Sequence, residues 1–221
     1  MKGCDYAMCG RYSVLTEDEI IEVRSIIREV SLRLARDDFS GYEAGLKEIA
    51  PTNRAAIITS DGNELAFEFG RFGFEKWDGR GVIINARAET IRDKSMFKSC
   101  IDTGRCVVPA SGYYEWKYPA EGQKKKVKHL IKDRDGNLLF MAGLWRDGKD
   151  GREFVVITKE PYGDVVRIHD RMPVILRIDR LEDWLSGAMP IEGLADLDYE
   201  CAGEPCDRDT AENGEQQMSL F

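Results

Sequence analysis

A cysteine near the start of the chain has neighbours that favour nucleophilic chemistry. Cys9 lies in the run MCGRY, followed by Gly10 and Arg11. A nearby cation stabilises a thiolate and so lowers the pKa of the thiol. The alternative is an ordinary buried cysteine, since cysteine is among the most buried residue types. Cys106, in an apolar run, is predicted to belong to the core.

Two further residues have neighbours suited to proton transfer. His169, one of two histidines, is flanked by Asp170 and Arg171, which suits acid–base work. The alternative is a histidine in a surface loop. Glu115 stands among aromatic residues in GYYEW, where a carboxylate is costly to bury unless it is paired. A buried Glu115 would be a candidate for proton transfer, whereas in a half-exposed strand it would simply share a face with Tyr113.

A polar pair follows the apolar residues 82–84. Asn85 and Arg87 are two positions apart, so their side chains point the same way in an extended segment. Such a pair could hold a phosphate or a sugar. The alternative is a strand end capped by asparagine.

The elements that position these residues are predicted from apolar spacing and turn signals. Thr16 and Glu19 form a capping box, and apolar residues at helical spacing extend the predicted helix over 16–38. Residues 55–59 and 65–69 are predicted to pair as a hairpin. Many short strands with few helices favour an α+β fold. Further strands are predicted at 82–84, 106–108, 112–116, 138–144, 154–158 and 174–176, and helices at 90–100, 162–168 and 181–185.

Charge and composition narrow the class of protein. Of 221 residues 43% are hydrophobic, which suits a soluble, core-forming chain. No apolar run approaches the roughly 18 residues of a membrane helix, and no secretory signal begins the chain, so a cytoplasmic protein is predicted. The net charge of −8 resides in residues 192–221, which leaves the rest neutral and free to carry a basic face. Because no secretory signal is present, the six cysteines are expected to be reduced. Their spacings do not match those of metal ligands, so no metal site is expected.

Four segments together resemble the signature blocks of one family. Residues 8–12, 84–90, 105–116 and 169–173 resemble the SRAP (SOS-response-associated peptidase) family of abasic-site processing proteins, with smaller echoes at 50–52 and 142–145. The resemblance runs from about residue 8 to residue 185. It implies a single α+β domain with a curved, barrel-like, mainly antiparallel sheet flanked by helices. It also implies a basic groove for single-stranded DNA and a role in the SOS response at the nucleoid. No cofactor is expected.

The resemblance further implies a covalent crosslink to abasic DNA. In the family the α-amine of an N-terminal cysteine attacks the sugar aldehyde and the thiol closes a thiazolidine. Here the cysteine would be Cys9, with Glu115 handling the amine proton and His169 acting at the sugar oxygens. Peptidase-type self-processing and lyase-like chemistry are also implied. The resemblance adds Asn85 to the catalytic group, and Arg11, Arg87, Arg171 and Trp77 to the DNA-binding group.

The sequence departs from the family pattern at its beginning. Seven residues precede Met8, and while they are attached Cys9 has no free amine. Translation from Met8, self-cleavage of a propeptide and loss of the family mechanism all remain open. Phe72 stands where many members have Trp, and Glu48 stands where many have Asn, which bears on the DNA contacts.

The acidic end of the chain carries a second resemblance. Residues 200–221 are poor in large apolar side chains, so disorder is expected. The final residues QMSLF are similar to the pentapeptide that binds the bacterial sliding clamp, with Gln217, Leu220 and Phe221 as its anchors. The chain therefore divides into an extension (1–7), the SRAP-like domain (8–199) and a tail (200–221). A cysteine peptidase using Cys9 and His169, and a non-catalytic clamp-tethered DNA-binding module, are the competing interpretations.

Overall fold

The computed structural model describes residues 10–30, 34–37, 48–60, 65–119 and 125–206. These residues form mostly short strands, together with three α-helices. The strands are β1 Arg11–Ser13, β2 Leu34–Asp37, β3 Glu48–Ile49, β4 Arg54–Ser60, β5 Leu65–Phe72, β6 Phe74–Glu75, β7 Val82–Ile83, β8 Asn85–Arg87, β9 Arg105–Ala110, β10 Tyr113–Lys117, β11 Val127–Asp133, β12 Leu139–Gly148, β13 Gly151–Lys159, β14 Met172–Pro173, β15 Ile175–Leu176 and β16 Cys201–Pro205. The helices are α1 Glu17–Val30, α2 Ser95–Thr103 and α3 Leu181–Ser186, with 3-10 turns at Ala88–Asp93, Gly163–Arg167, Ile178–Arg180 and Ile191–Asp196.

Five strands close into a barrel. Antiparallel pairs join them in the order β13–β12–β9–β4–β5, and a parallel pair between β5 and β13 completes the ring. At this seam Arg71 faces Glu153 and Phe72 faces Phe154. The predicted α+β fold with a barrel-like, mainly antiparallel sheet is therefore confirmed.

A second sheet lies beside the barrel, in the order β16–β11–β10–β1–β3. All its pairs are antiparallel, and β1 lies between β10 and β3, with Arg11 opposite Tyr114. The first described strand is therefore held inside a sheet rather than at its edge.

Alternation along the barrel strands creates two cores. On β9, Val107 packs with the helices, together with Val23 of α1 and Trp184 of α3. Its neighbour Cys106 points the other way and packs with residues of the second sheet such as Tyr113. Side chains alternate across a strand, so one set of strands serves both cores. This confirms the prediction that Cys106 is a core residue.

The first helix is shorter than its apolar spacing predicted. Thr16 Oγ1 accepts from the Glu19 N–H at 3.2 Å and Glu19 Oε2 accepts from the Thr16 N–H at 2.7 Å, so the capping box is confirmed. However, α1 ends at Val30, and Leu34–Asp37 form β2, parallel to β5. The predicted helix to residue 38 was wrong, because pairing with the edge of the barrel sheet overrides local spacing there.

The predicted tail also begins too early. Cys201–Pro205 form β16, which pairs with β11 along its whole length. Cys201 is fully buried in the second core, so this segment belongs to the domain and the boundary at 199 has to move. Among the described residues, no helix has the length and apolar character needed to cross a bilayer.

Candidate active site

The two faces of β10 have opposite characters. Tyr113 and Glu115 point inward, with 1% and 2% of their surfaces exposed, whereas Tyr114 and Trp116 are half-buried on the outer face. Directly opposite Glu115 on β11 stands His129, which is also buried. The structure therefore makes Glu115 a buried carboxylate, the first of the two alternatives for this residue.

The buried carboxylate of Glu115 faces an imidazole from a distant part of the chain. His169 Nε2 lies 3.6 Å from Glu115 Oε2, and the His169 side chain is 9% exposed. The backbone N–H groups of Ile168 and His169 both donate to Val165 O, which fixes the chain just after a 3-10 turn. The interpretation of His169 as a surface-loop residue is therefore wrong. The structure brings together the two residues predicted to move protons.

The other ring nitrogen of His169 has two neighbours. The Arg171 backbone N–H donates to Nδ1 at 3.2 Å, and Asp170 Oδ1 lies 3.0 Å from the same nitrogen. The Asp170 side chain is 79% exposed. The ring is thus held at both ends, by a buried carboxylate on one side and by the backbone of the next segment on the other.

Arg171 is turned into the protein. Its two terminal nitrogens bind the two oxygens of Glu89 at 2.7 and 2.8 Å, and one of them also donates to Thr158 O. These hydrogen bonds lower the pKa of Glu89 despite its partial burial. The sequence placed Arg171 among the DNA contacts, whereas in the structure its guanidinium ties three segments together.

The predicted polar pair lies on β8, which runs parallel to β13. Asn85 faces Val156 and is partly buried, and Arg87 faces Thr158 and is exposed. Since Thr158 O also receives Arg171, the end of β8 and the segment after His169 meet at this position. The structure therefore brings Arg87 to the neighbourhood of His169 through the Thr158 backbone.

Arg11 begins β1 at the outer face of the second sheet. Its side chain is half-exposed and pairs with Glu48 at 3.3 Å. Glu48 also binds Lys128 of β11. The carboxylate of Glu48, which departs from the family pattern, is therefore neutralised by two cations.

An outer patch at β10 and β11 combines aromatic rings with lysines. We call it the aromatic–cationic face: Tyr114, Trp116, Tyr118, Lys126 and Lys128. Lys128 Nζ lies 4.0 Å from the centroid of the Tyr114 ring, and Lys126 Nζ lies 4.1 Å from that of Tyr118. Alternating aromatics in YYEWKY followed by a lysine cluster were the available signal. Cations over aromatic rings are typical of surfaces that contact single-stranded nucleic acid.

Trp77 lies away from these residues. It is 99% exposed in the turn between β6 and β7, which form a separate two-stranded sheet. It lines an open groove with residues such as Met96 and Arg146. The structure places it on the surface, as a DNA contact requires, but on a different sheet from Glu115.

Several predicted residues lie outside the described part of the chain. They are Cys9, Gln217, Leu220 and Phe221. Of the described cysteines, Cys106 is completely buried and burial raises the pKa of its thiol. Burial raises the pKa of Cys201 to about 12. These two thiols are therefore poor nucleophiles at neutral pH.

Comparison with known proteins places this geometry in a family. "Abasic site processing protein YoqW" of Bacillus subtilis is 33% identical over 192 residues, covering 81% of this chain and 80% of its own. "Abasic site processing protein YedK" of Escherichia coli is 28% identical over 189 residues, covering 80% and 79%. A crystal structure of a Bacteroides thetaiotaomicron protein shares the fold, with a TM-score of 0.73 at 24% identity, covering 91% and 93%.

The family match spans nearly all of the described chain. The sequence model described as "SOS response associated peptidase (SRAP)" matches residues 8–203. Its last matched residue lies inside β16, in agreement with the later domain boundary seen in the structure. The match includes the strands that carry Glu115 and Asn85 and the segment that carries His169. The chain belongs to the SOS response associated peptidase (SRAP) family.

Proposed function

We propose that the protein binds abasic sites in single-stranded DNA and forms a covalent thiazolidine crosslink through Cys9, once the preceding residues have been removed. The crosslink shields the lesion during replication or the SOS response. The observation that carries the proposal is the buried pair of Glu115 and His169 at 3.6 Å, next to the strand that follows Cys9. The relatives named as abasic site processing proteins support the substrate class.

The length of the backbone limits how far Cys9 can lie from this pair. One residue separates Cys9 from Arg11, and an extended chain spans at most about 3.6 Å per residue. Arg11 faces Tyr114, the residue before Glu115. An amine on Cys9 is therefore within about two residue lengths of a strand position adjacent to Glu115.

The first chemical step suits an α-amine. Its pKa of about 7.7–8.0 leaves much of it neutral near physiological pH, whereas a lysine is almost fully protonated. The neutral amine adds to the aldehyde carbon of the ring-opened abasic sugar, and loss of one water gives an imine. In our proposal Glu115 accepts the proton that the amine sheds, and His169 donates to the sugar oxygen that leaves.

The second step makes the adduct durable. The Cys9 thiol adds across the C=N bond: sulfur bonds to carbon and the thiol proton passes to nitrogen. The product is a five-membered thiazolidine, and one water is released overall. Because the ring replaces an imine that hydrolyses readily, the DNA remains attached. His169 can catalyse the reverse reaction, since an acid–base group acts in both directions.

The surface around the pair supports binding of a DNA strand without reading its sequence. Arg11 and Arg87 are exposed cations, which suits them to contacts with phosphates. The aromatic–cationic face offers rings on which bases can stack. In this proposal Asn85 holds the abasic sugar, and Trp77 contacts a more distant base. Arg171 acts through its contacts inside the protein.

Intact-mass spectrometry tests the proposal. Protein expressed from Met1 and from Met8 is mixed with an oligonucleotide that carries one abasic site. We expect a chain that begins at Cys9 to gain the mass of the DNA minus one water. Cys9→Ala controls for the thiol, and an oligonucleotide with a reduced abasic site, which lacks the aldehyde, controls for the substrate. A processed chain that stays unmodified would rule the proposal out.

A second candidate function is a cysteine peptidase that uses Cys9 and His169, limited to self-processing. The family description names a peptidase, and the eight residues before Cys9 would be its natural substrate. This function needs the thiol but no free amine. Chains starting at Met1 with Cys9→Ser or His169→Gln should then keep residues 1–8, whereas the unmodified chain should lose them. Equal removal from all three would contradict self-processing.

A sliding clamp is proposed as a protein partner through the last residues. The similarity of QMSLF to the clamp-binding pentapeptide supports this, with Gln217, Leu220 and Phe221 as anchors. A tether of this kind raises the local concentration at replication forks. Fluorescence anisotropy with a purified bacterial clamp should show binding that is lost in a chain ending at residue 216. Equal binding by both chains would contradict the assignment.

A further inference from the structure

We propose that Glu89 is a positioning residue for His169. By fixing Arg171 it keeps the Arg171 backbone N–H on His169 Nδ1, so that the ring proton sits on Nε2 and faces Glu115. This inference rests on the proposed function for its catalytic consequence. The tautomer itself can be measured without DNA.

The ring nitrogen Nδ1 has two neighbours with opposite requirements. The Arg171 N–H, 3.2 Å away, is a donor and needs a lone pair on Nδ1. The Asp170 carboxylate, 3.0 Å away, is an acceptor and needs a proton there. A neutral imidazole carries one ring proton, so these two demands select different tautomers.

Burial decides between the two neighbours. The Asp170 side chain is 79% exposed, so water can satisfy its carboxylate. The backbone of Arg171 has no such freedom, because its guanidinium binds both oxygens of Glu89 and the Thr158 carbonyl. Two parallel hydrogen bonds between a guanidinium and a carboxylate fix both distance and orientation. The donor to Nδ1 is therefore the better-held partner.

The next residues hold the same segment from the other side. Met172 and Pro173 form β14 and pair with Lys159 and Thr158 of β13. Arg171 is thus anchored by its side chain and by the strand that follows it. Glu89 is the member of this arrangement whose removal takes two hydrogen bonds from the guanidinium while leaving the strand pairing intact.

The chain supplies an internal reference for the measurement. Its other histidine, His129, has Nδ1 3.0 Å from the carbonyl oxygen of Val127. A carbonyl can only accept, so this ring must carry its proton on Nδ1. The two histidines of the chain are therefore expected to be opposite tautomers in one protein.

Nitrogen NMR of the full chain, labelled with ¹⁵N-histidine, reads both tautomers at a pH where the rings are neutral. We expect an unprotonated Nδ1 in His169 and a protonated Nδ1 in His129. Glu89→Gln should raise the Nδ1–H population of His169 and leave His129 unchanged. Asp170→Asn, the matched control, should leave His169 as it is. Thermal denaturation checks that each variant is folded.

The proposal is overturned if unmodified His169 already carries its proton on Nδ1, or if a folded Glu89→Gln protein leaves the His169 tautomer unchanged. The first of these measurements needs no variant, so it can overturn the proposal even where Glu89→Gln folds poorly. In processed protein with a free Cys9 amine, Glu89→Gln should slow crosslinking about tenfold, which is less than the roughly 10²- to 10⁴-fold effect of losing the acid–base group itself. If unmodified protein does not crosslink at all, the proposed function fails while the tautomer result stands.

Discussion

Two buried glutamates of this protein have contrasting surroundings. Glu153, in the barrel, receives hydrogen bonds from Arg146 Nε at 3.0 Å, from Arg71 at 3.3 Å and from the Glu75 N–H at 3.1 Å. Glu115, in the second sheet, faces the His169 ring at 3.6 Å. A guanidinium keeps its proton at any physiological pH, whereas an imidazole can give or take one. The first environment can therefore hold a structure together, and the second can move a proton.

The largest effect is expected at the second of these sites. Glu115→Gln keeps the shape of the side chain and removes its ability to accept a proton. If Glu115 handles the amine proton, the crosslinking rate should fall by about 10²- to 10⁴-fold, with a melting temperature close to that of unmodified protein. Single-turnover gel assays with abasic DNA measure the rate. Full activity in this variant would remove Glu115 from the mechanism.

The opposite result is expected at Glu153. Glu153→Ala leaves two arginines near the barrel seam without their shared carboxylate, which should lower the free energy of unfolding by about 3 kcal/mol. The crosslinking rate per folded molecule should stay unchanged. Urea denaturation and the same gel assay give the two numbers. A Glu153→Ala protein that kept its stability but crosslinked slowly would contradict the assignment of a structural role to Glu153 and a catalytic role to Glu115.

A third, partly buried glutamate should respond to acid. Arg171 lowers the pKa of Glu89 in the folded protein, so the ionised form favours folding. This contribution is complete above the usual carboxyl value and is lost as the pH falls through the lower folded value. Glu89→Gln should therefore flatten the loss of stability in that acid range. Chemical denaturation at a series of pH values measures the free energy of unfolding, with a substitution at an exposed residue, Glu182→Gln, as control. If this free energy changed equally with pH in the unmodified protein and in both variants, the assignment would be contradicted.

The smallest effect is expected at a surface pair. Arg92 and Glu192 lie 2.6 Å apart, but more than half of each side chain is exposed. Water screens such pairs and their side chains lose freedom on pairing, so Arg92→Ala should leave the melting temperature almost unchanged. Differential scanning calorimetry provides the comparison with Glu153→Ala. A large shift of the melting temperature in Arg92→Ala would show that burial does not explain the different contributions of the carboxylates to stability.

The sequence predicted the elements and the candidate residues better than their connections. Alternation and turn signals located β4, β5 and β13, because the residues that define a strand are neighbours in the chain. The capping box located the start of α1, but its end depended on the pairing of Leu34–Asp37 with β5, which is a tertiary contact. The same limit applied to Cys201–Pro205. This segment lies among acidic residues, so disorder was predicted, and it forms a strand because it pairs with β11.

At the site, residue types were predictable and contacts were not. Glu115 and His169 were identified by their neighbours and by family resemblance, and the structure brings them together. The inward turn of Arg171 could not be read from HDRMP, since it depends on Glu89, which lies 82 positions away. His129 was missed because a lone histidine in a polar run carries no signal until β11 is placed opposite Glu115.

The parallel pair that closes the barrel has a consequence for folding kinetics. Arg71 and Glu153 face each other across it although they lie 82 positions apart. Bringing such distant segments together costs chain entropy before any contact is gained, whereas the pairs β4–β5 and β12–β13 are local. The seam should therefore form after the main folding barrier, and changes at Glu153 should speed unfolding more than they slow refolding. The lifetime of the folded protein is then governed by how often this seam opens.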